Sequence, residues 1–532
     1  AETAWANDDS IATPFRIELY PFQRQILEQL EVERRRGHPN TLVVAATGTG
    51  KTVISALDYR QLSVQLGRSR LLFVAHRKEI LEQSRTTFRH VLQDGAFGEL
   101  WVDGNRPQRW EHVFASVQSI AHGDMSALPN DHFNVVIVDE FHHAHASTYS
   151  SLLDTLQPRH LLGLTATPER ADGGDILRWF GGRIAVELRL WDALEQDLLA
   201  PFHYYGLHDG TDLRHLKWTR STGYDSRELT NLYTADHLWV GKVIAAVHDK
   251  VGNPRTMRAL GFGVSIAHCE FLAEQFNRAG IVAAALSANS SREDRADALR
   301  RLRSGELQII FSVDLFNEGV DLPTVDVVLM LRPTDSATVF LQQLGRGLRR
   351  ADGKDVLTVL DFVGQQNRSF RFDQRFGRLL GRTRRQLERD VDDGFPFLPA
   401  GCQISLDAVA REIVLDSVRN ALPTRWPDRI REAKLIGDVP LGDFLHESGL
   451  ELEDVYGSKR SYTELRRAAG MVPPVSPDAT VAGIDKRLGT GLGRLLHLDD
   501  SERIEFASAI FSTVSTPSMS ELSDIDQRTL HG

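Results

Sequence analysis

Short runs of apolar, often β-branched residues alternate along the chain with stretches whose apolar residues recur every three or four positions. The runs at 42–46, 71–75, 113–115, 135–138 and 161–165 predict the strands of a first unit. Those at 259–264, 282–286, 308–313, 325–331 and 356–363 predict the strands of a second. The runs are near-continuous rather than alternating, so each strand is buried on both faces. This is the signature of a parallel sheet covered by helices. Between them, residues 77–91 place Ile80, Leu81, Phe88 and Val91 on one helical face. Ser290-Ser291-Arg292-Glu293 reads as a capping box opening a helix that carries Leu299 and Leu302. In open α/β sheets, ligands are expected at the strand C-terminal ends.

The pattern divides the chain. Residues 1–15 read as a polar linker and 16–200 as the first α/β unit. Residues 201–235, with Tyr204 and Tyr205, read as a connector, and 236–366 as the second unit. Residues 367–532 read as a mostly helical accessory domain, with a polar end after Thr513 that looks frayed or truncated. The start at Ala1 rather than Met leads us to expect a native protein that begins earlier. At the head of the accessory domain, Arg368, Arg371, Arg375, Arg378, Arg382, Arg384, Arg385 and Arg389 interleave with Phe370, Phe372, Phe376, Leu379 and Leu380. Two readings stand side by side: a phosphate-tracking surface with stacking partners, or a helix packing its aromatics inward.

Composition narrows the classes. At 532 residues, with 42% hydrophobic and 25% charged residues, the chain is long enough for roughly three or four soluble globular cores. No apolar run reaches a membrane span and no signal peptide is visible. Cys269 and Cys402 stand far apart, which argues against disulfides and cysteine metal sites and fits the reducing cytoplasm. The net charge of −10 means that any nucleic-acid contact must use a local basic groove.

The chemistry concentrates in residues 41–52, TLVVAATGTGKT: an apolar strand, a glycine loop and the start of a helix. That order builds a phosphate cradle. Backbone N–H groups of Thr47, Gly48, Thr49 and Gly50 face the phosphates, Lys51 adds a point charge, and the Thr52 hydroxyl suits Mg²⁺. Ala45 stands where the first glycine of such loops is usual. A second run, residues 134–140, ends in Asp139 and Glu140. Asp139 is placed to hold Mg²⁺ and Glu140 to orient and deprotonate an attacking water.

Asp139-Glu140-Phe141-His142 resembles the D-E-x-H box of superfamily 2 helicases and translocases, and further motifs follow in that superfamily's order. Tyr20-Pro21-Phe22-Gln23 looks like the adenine-reading Q motif, Val74-Ala75-His76-Arg77 like motif Ia, and residues 115–119 like the next strand-contacting motif. Residues 165–168, TATP, look like motif III, residues 312–321, SVDLFNEGVD, like motif V, and residues 342–349, QQLGRGLR, like motif VI. The resemblance covers about residues 16–364. It implies two tandem RecA-like domains with ATP and Mg²⁺ between them. It gives Gln23 to adenine, and Gly319 and Asp321 to the nucleotide. His142, Thr165 and Thr167 couple the sites, and Arg77, Ser116, Gln118 and Ser312 contact nucleic acid on the rim opposite the phosphates.

Motif VI also makes physical sense by itself. Gln342, Arg346 and Arg349 at i, i+4 and i+7 of a helix would share one face. Two guanidiniums there suit a γ-phosphate held by the other domain. His142, His143 and His145 lack the spacing and partners of a zinc site. The H-x-K-x-x-x-x-D nuclease pattern is absent: Gln83, Thr222 and Arg255 stand where its Asp would follow the three H-x-K triplets.

The spellings LYPFQ, AHRKEILEQ and DEFHHAHASTY look most like DNA-directed motors. The nearest resemblance is to bacterial helicases with a phospholipase-D-like nuclease domain before the motor and a C-terminal domain of unknown function after it. Residues 401–422 and 441–467 resemble the start of that last domain. The expected activity is ATP-driven translocation on or unwinding of DNA, in repair, restriction or phage defence, with a nuclease domain or subunit outside this chain. An ATP-gated clamp and an RNA helicase are the rival readings.

Overall fold

The computed structural model describes residues 19–67, 69–122, 128–141, 152–166, 176–219, 223–315, 322–334, 336–367, 370–382, 384–420, 426–448, 450–456, 460–472 and 491. The chain separates into two compact units, 1–421 and 422–532.

The first unit holds two seven-stranded parallel sheets. One is built from β1 (Asn40–Ala45), β2 (Leu71–Ala75), β3 (Glu99–Trp101), β4 (His112–Ser116), β5 (Val135–Val138), β6 (His160–Thr165) and β7 (Val186–Leu188), in the order β3-β4-β2-β5-β6-β1-β7. The next strand, β8 (Phe202–Asp212), is followed by a small ribbon of β9 (Trp218–Thr219) and β10 (Gly223–Tyr224). Then come β11 (Ala259–Phe262), β12 (Ala283–Ala285), β13 (Ile309–Ser312), β14 (Val327–Met330), β15 (Leu357–Gln365) and β16 (Gln403–Leu406). The second sheet runs β12-β13-β11-β14-β15-β8-β16. These are the two RecA-like parallel-sheet layers expected, with helices on their faces. The helix Lys78–Leu92 buries Ile80, Leu81, Phe88 and Val91, the stripe read from the sequence. Phe88 stacks edge-on against Phe73 and Phe114 of the sheet, with ring centroids 5.7 and 5.4 Å apart.

Three features differ from expectation. The stretch read as a connector carries β8, which pairs in parallel with β15 from Phe202 opposite Leu357 onward. β8 alternates buried Phe202 and Tyr204 with half-buried His203 and Tyr205, so it lacks a continuous apolar run. β16, beyond residue 367, pairs with β8 and completes the sheet. The helix Arg292–Ser304 is capped one residue later than the predicted box: Ser291 Oγ accepts the Asp294 N–H at 3.0 Å, while Ser290 bonds Ser287 instead.

The arginine-dense segment packs inward. Phe370, Phe372, Phe376, Leu379 and Leu380 are buried. Arg371 pairs with Asp373 at 2.6 Å and Arg382 with Asp390 at 3.2 Å. Arg375 is buried against the second sheet. It pairs with Asp361 of β15, donates to the Tyr204 hydroxyl of β8 at 3.2 Å and lies 4.1 Å over the Phe340 ring. These three arginines therefore serve packing rather than phosphate tracking. Burial raises the Tyr204 phenol to about 12, so it stays a hydrogen-bond donor to Asp361. Removing one member of a buried pair strands the other charge, at a cost of about 3–5 kcal/mol. Arg375→Ala is therefore expected to lower the melting temperature by several degrees, and Asp361→Asn combined with Arg375→Met to recover part of the loss. A wild-type melting curve for Arg375→Ala would refute the assignment.

The second unit has its own small core of Ala433, Phe444, Val455, Tyr456, Tyr462 and Leu465 on four short helices between Trp426 and Ala468, joined by Leu450 from a connection between two of them. No helix among the described residues is long and apolar enough to cross a membrane.

Candidate nucleotide site

β1 ends at Ala45, and the backbone reverses through Gly48 (φ 96°) and Gly50 (φ 81°). Both sit in the left-handed region that favours glycine. Buried Thr49 locks the turn by donating from its hydroxyl to the Ala46 carbonyl at 2.8 Å. Lys51 then opens the helix Lys51–Leu66, and its Nζ donates to the Ala45 carbonyl at 3.0 Å. Thr52 follows in the first turn. The ammonium is thus held over a loop of N–H groups at a helix N-terminus, which is the arrangement that binds phosphate. Gln23 abuts the same loop. Its Oε1 accepts the Tyr20 N–H at 3.2 Å, capping the helix Pro21–Arg35, and a Cβ on Gly50 would lie 3.0 Å from its Nε2.

The acidic pair leaves β5, one strand away from β1 across β6. Val44 stands opposite Thr165, and Gly163 opposite Val138, so all three strands end at one edge. The Asp139 N–H donates to the Val74 carbonyl at 2.9 Å, and Asp139 Oδ1 accepts the Glu140 N–H at 3.0 Å. Glu140 adopts φ 49°, a left-handed conformation that strains a residue bearing a side chain. Phe141 anchors the turn, fully buried 4.8 Å from the Phe180 ring. The Glu140 N–H bond to Asp139 and the packing of Phe141 hold this conformation in place. Thr165 is completely buried at the end of β6.

The second sheet supplies the far wall. The helix Ala337–Gly345 carries Gln342 and stops at Gly345, with Arg346 as its C-cap. The N–H groups of Arg346 and Gly347 donate to Gln343 and Leu344, at 3.2 and 3.1 Å, tightening the last turn. A Cβ on Gly347 would overlap Leu357, so the backbone packs directly on that side chain there. Gln342, Arg346 and Arg349 therefore do not share a helical face as the spacing predicts. Arg349 lies beyond the helix and reaches the phosphate loop from the turn. A Cβ on Gly48 would lie 3.1 Å from Arg349 Cγ, and one on Gly345 2.7 Å from Thr47 Cβ. Gln342 and Arg346 are buried, and burial lowers the Arg349 pKa.

The residues assigned to nucleic acid leave the same C-terminal edge as the phosphate loop, displaced sideways through β2 and β4 rather than on an opposite rim. The Ser116 hydroxyl is buried and caps the following turn, accepting the Ser119 N–H at 3.0 Å. Gln118 is exposed beside it. Arg77 crosses to the second sheet, donating to the Asp314 carbonyl at 3.1 Å, and Arg295 meets Glu79 at 3.3 Å. Ser312 is buried at the end of β13. His142, His143, His145, Thr167, Gly319 and Asp321 lie outside the described residues, and among those described no cluster has the make-up of a metal centre.

Two residues at the site carried no motif signal. Leu199 stands 3.2 Å from a Cβ on Gly48, and Lys354 ties down the turn that bears Arg349.

Comparison with known proteins agrees with this geometry. Residues 16–170 match the family described as Type III restriction enzyme, res subunit, and residues 242–351 match Helicase conserved C-terminal domain. A Saccharomyces cerevisiae protein described as an ATP-dependent helicase, IRC3, is 26% identical over 359 residues, covering 65% of this chain and 51% of that protein. The DNA 3'-5' translocase XPB2 of Sulfurisphaera tokodaii is 21% identical over 403 residues, covering 69% and 87% respectively. The ATP-dependent Type ISP restriction-modification enzyme LlaBIII, solved bound to DNA, shares the fold with a TM-score of 0.56 at 16% identity, over 97% of this chain and 39% of that one. The chain thus spans about half the length of the yeast relative and less of LlaBIII. Two matched segments, each on its own sheet, and a phosphate loop walled by an arginine turn make this chain similar to the superfamily 2 helicase-type ATPases.

Proposed function

We propose that the chain is an ATP-driven DNA motor, hydrolysing ATP between its two sheets to step along or unwind DNA. The observation that carries the reading is Arg349 of one sheet's turn lying against Gly48 of the other sheet's phosphate loop. Such an arrangement makes hydrolysis depend on how the two halves close, and that dependence couples turnover to movement. Lys51 and the loop N–H groups bind the phosphates, and Gln23 reads adenine. Gln342, Arg346 and Arg349 stabilise developing charge, and Glu140 takes the proton of the attacking water. Thr52, in the first turn of the helix after β1, and Asp139, after β5, offer hard oxygen donors at the same edge of the sheet, which suits Mg²⁺. An ion held by these two residues would supply positive charge to the bound phosphates.

Arg77, Ser116, Gln118 and Ser312 contact the DNA backbone, and His142, Thr165 and Thr167 couple it to the nucleotide, with Gly319 and Asp321 completing the nucleotide wall. The proposed domain division is 16–200, 201–235, 236–366 and 367–532, with β8 from the connector and β16 from the accessory region joining the second sheet. The finer relationship is to bacterial helicases flanked by a phospholipase-D-like domain and a C-terminal domain of unknown function, so a nuclease domain or subunit outside this chain completes the activity. The setting is the cytoplasm, and the role is repair, restriction or phage defence. The named relatives that translocate on DNA or restrict it support the choice of DNA.

The test is steady-state ATP hydrolysis without nucleic acid, then with single-stranded DNA, duplex DNA or RNA, at one low salt concentration, because phosphate-driven binding falls steeply with salt. Stimulation by DNA is expected. Stimulation by RNA alone would overturn the choice of DNA. Stimulation by none would favour an ATP-gated clamp.

A further inference from the structure

The turn that carries Arg349 has no regular secondary structure, yet it must hold a guanidinium against a loop of the other sheet. Residues 346–356 link the helix Ala337–Gly345 to β15, and near their end Lys354 folds under the turn. Its ammonium donates to three main-chain carbonyls: Gly347, Arg349 at 2.8 Å and Pro323 at 3.4 Å. An ammonium has three donors, and here all three are directed at backbone. Two of the carbonyls belong to the segment that presents Arg349. The third anchors that segment to the chain entering β14. From the other side, the Leu348 carbonyl accepts the Ala200 N–H at 2.7 Å, so the turn is gripped at consecutive residues.

We infer that Lys354 is a positioning residue for the reaction, holding the Arg349 guanidinium at the phosphate loop by binding the carbonyls of Gly347 and Arg349. This rests on the proposed role of Arg349 in ATP hydrolysis. Lys354 touches neither nucleotide nor reacting atoms, and acts only through the turn.

The charged groups facing Lys354 are Asp326, from the segment before β14, and Arg349, from its own loop. Asp326 favours the ammonium and Arg349 opposes it, but burial is the largest influence, and together they bring the pKa down to about 8. Asp326 is itself held by the Arg258 N–H at 2.7 Å, and burial pushes its carboxyl up. The sign follows directly. Below about pH 8 Lys354 is an ammonium and keeps all three bonds. Above it the neutral amine has two donors and no charge, and the turn loosens.

The experiment compares Lys354→Met, Lys354→Arg, Arg349→Ala and the Arg349→Ala/Lys354→Met double variant, with Lys51→Ala as reference. ATPase is measured from pH 6.5 to 9.5 at saturating ATP and nucleic acid, with KM for ATP and thermal melting on each protein. Because misplacing a catalytic group by an ångström costs about 10²-fold, Lys354→Met is expected to lose most of kcat while KM for ATP stays near the wild-type value. Wild-type kcat falls as pH rises through about 8, whereas Lys354→Arg, charged throughout, retains activity on the alkaline side. In the Arg349→Ala background Lys354→Met has no further effect, since what it positions is gone.

Near-wild-type kcat for Lys354→Met, or an alkaline fall unchanged in Lys354→Arg, would overturn the inference while leaving the ATP site standing. Additive losses in the double variant would also overturn it, as a merely structural lysine behaves that way. Wild-type turnover by Lys51→Ala would instead remove the ATP-site reading itself.

Discussion

Replacing Lys51 with alanine is expected to lower nucleic-acid-stimulated ATP turnover by about 10²–10³-fold or more, the effect of deleting a preorganised donor to developing charge. The expectation follows from how the loop is built. Its shape comes from Gly48 and Gly50 and from the Thr49 hydroxyl on the Ala46 carbonyl, none of which involves the lysine side chain. Alanine therefore leaves the cradle intact and removes only the cation, which rests on the Ala45 carbonyl at 3.0 Å. Since Lys51 is partly exposed, the fold loses little, and melting should shift by no more than about 2 °C. Lysine here is a point charge on a flexible stem, so arginine, a wider planar fork, is not expected to rescue it. Steady-state turnover and nucleotide binding on the purified variant check both halves of the claim. Full activity in Lys51→Ala would mean that ATP is bound elsewhere.

The geometry joins this loop to the residues proposed to contact nucleic acid through one edge of the first sheet. From β4 through β2, β5 and β6 to β1, successive strand ends carry Ser116, Arg77, Asp139 with Glu140, Thr165, and the phosphate loop. The second sheet meets that edge at two places, Arg349 on Gly48 and Arg77 on the Asp314 carbonyl. A change in the closure of the two sheets must alter both contacts at once. Closure is therefore the quantity that ATP and nucleic acid would share, each biasing it through its own contact.

Those strand ends were legible in the sequence because their chemistry is local. The cradle occupies consecutive residues after an apolar run, and so do the acids after β5. The strands themselves were legible for the same reason, being buried on both faces. β8 was not, because His203, Tyr205 and Gly206 interrupt its apolar positions and its partners, β15 and β16, lie some 150 to 200 residues away. The arginine spacing 346 and 349 reads as helical, but the helix ends at Gly345, and beyond it Gly347 packs directly on Leu357. Arg375 looked like one basic residue among many until Asp361 and Tyr204 surrounded it. Lys354 has no motif at all, since its partners are backbone carbonyls, which every residue possesses.

Glu140→Gln should separate binding from chemistry. The side chain sits at the end of a turn with φ 49°, fixed by the Glu140 N–H on Asp139 Oδ1 and by Phe141 packed on Phe180. Glutamine has nearly the same volume and makes the same backbone bond, so the turn and the cradle beside it persist, and ATP affinity should stay near that of the wild type. What glutamine lacks is a basic oxygen. General-base assistance is worth about 10²–10⁴-fold, so hydrolysis is expected to fall by that amount while ATP remains bound. The variant should then hold the two sheets in their ATP-bound relation, and nucleic-acid affinity measured with ATP should be locked at a single value instead of relaxing as nucleotide is consumed. Single-turnover hydrolysis alongside equilibrium binding of a fluorescent ATP analogue reads both quantities. Hydrolysis at the wild-type rate would remove Glu140 from the chemistry and transfer the water to another base. Lost ATP binding would show instead that the strained turn, and not the carboxylate, is what the nucleotide site requires.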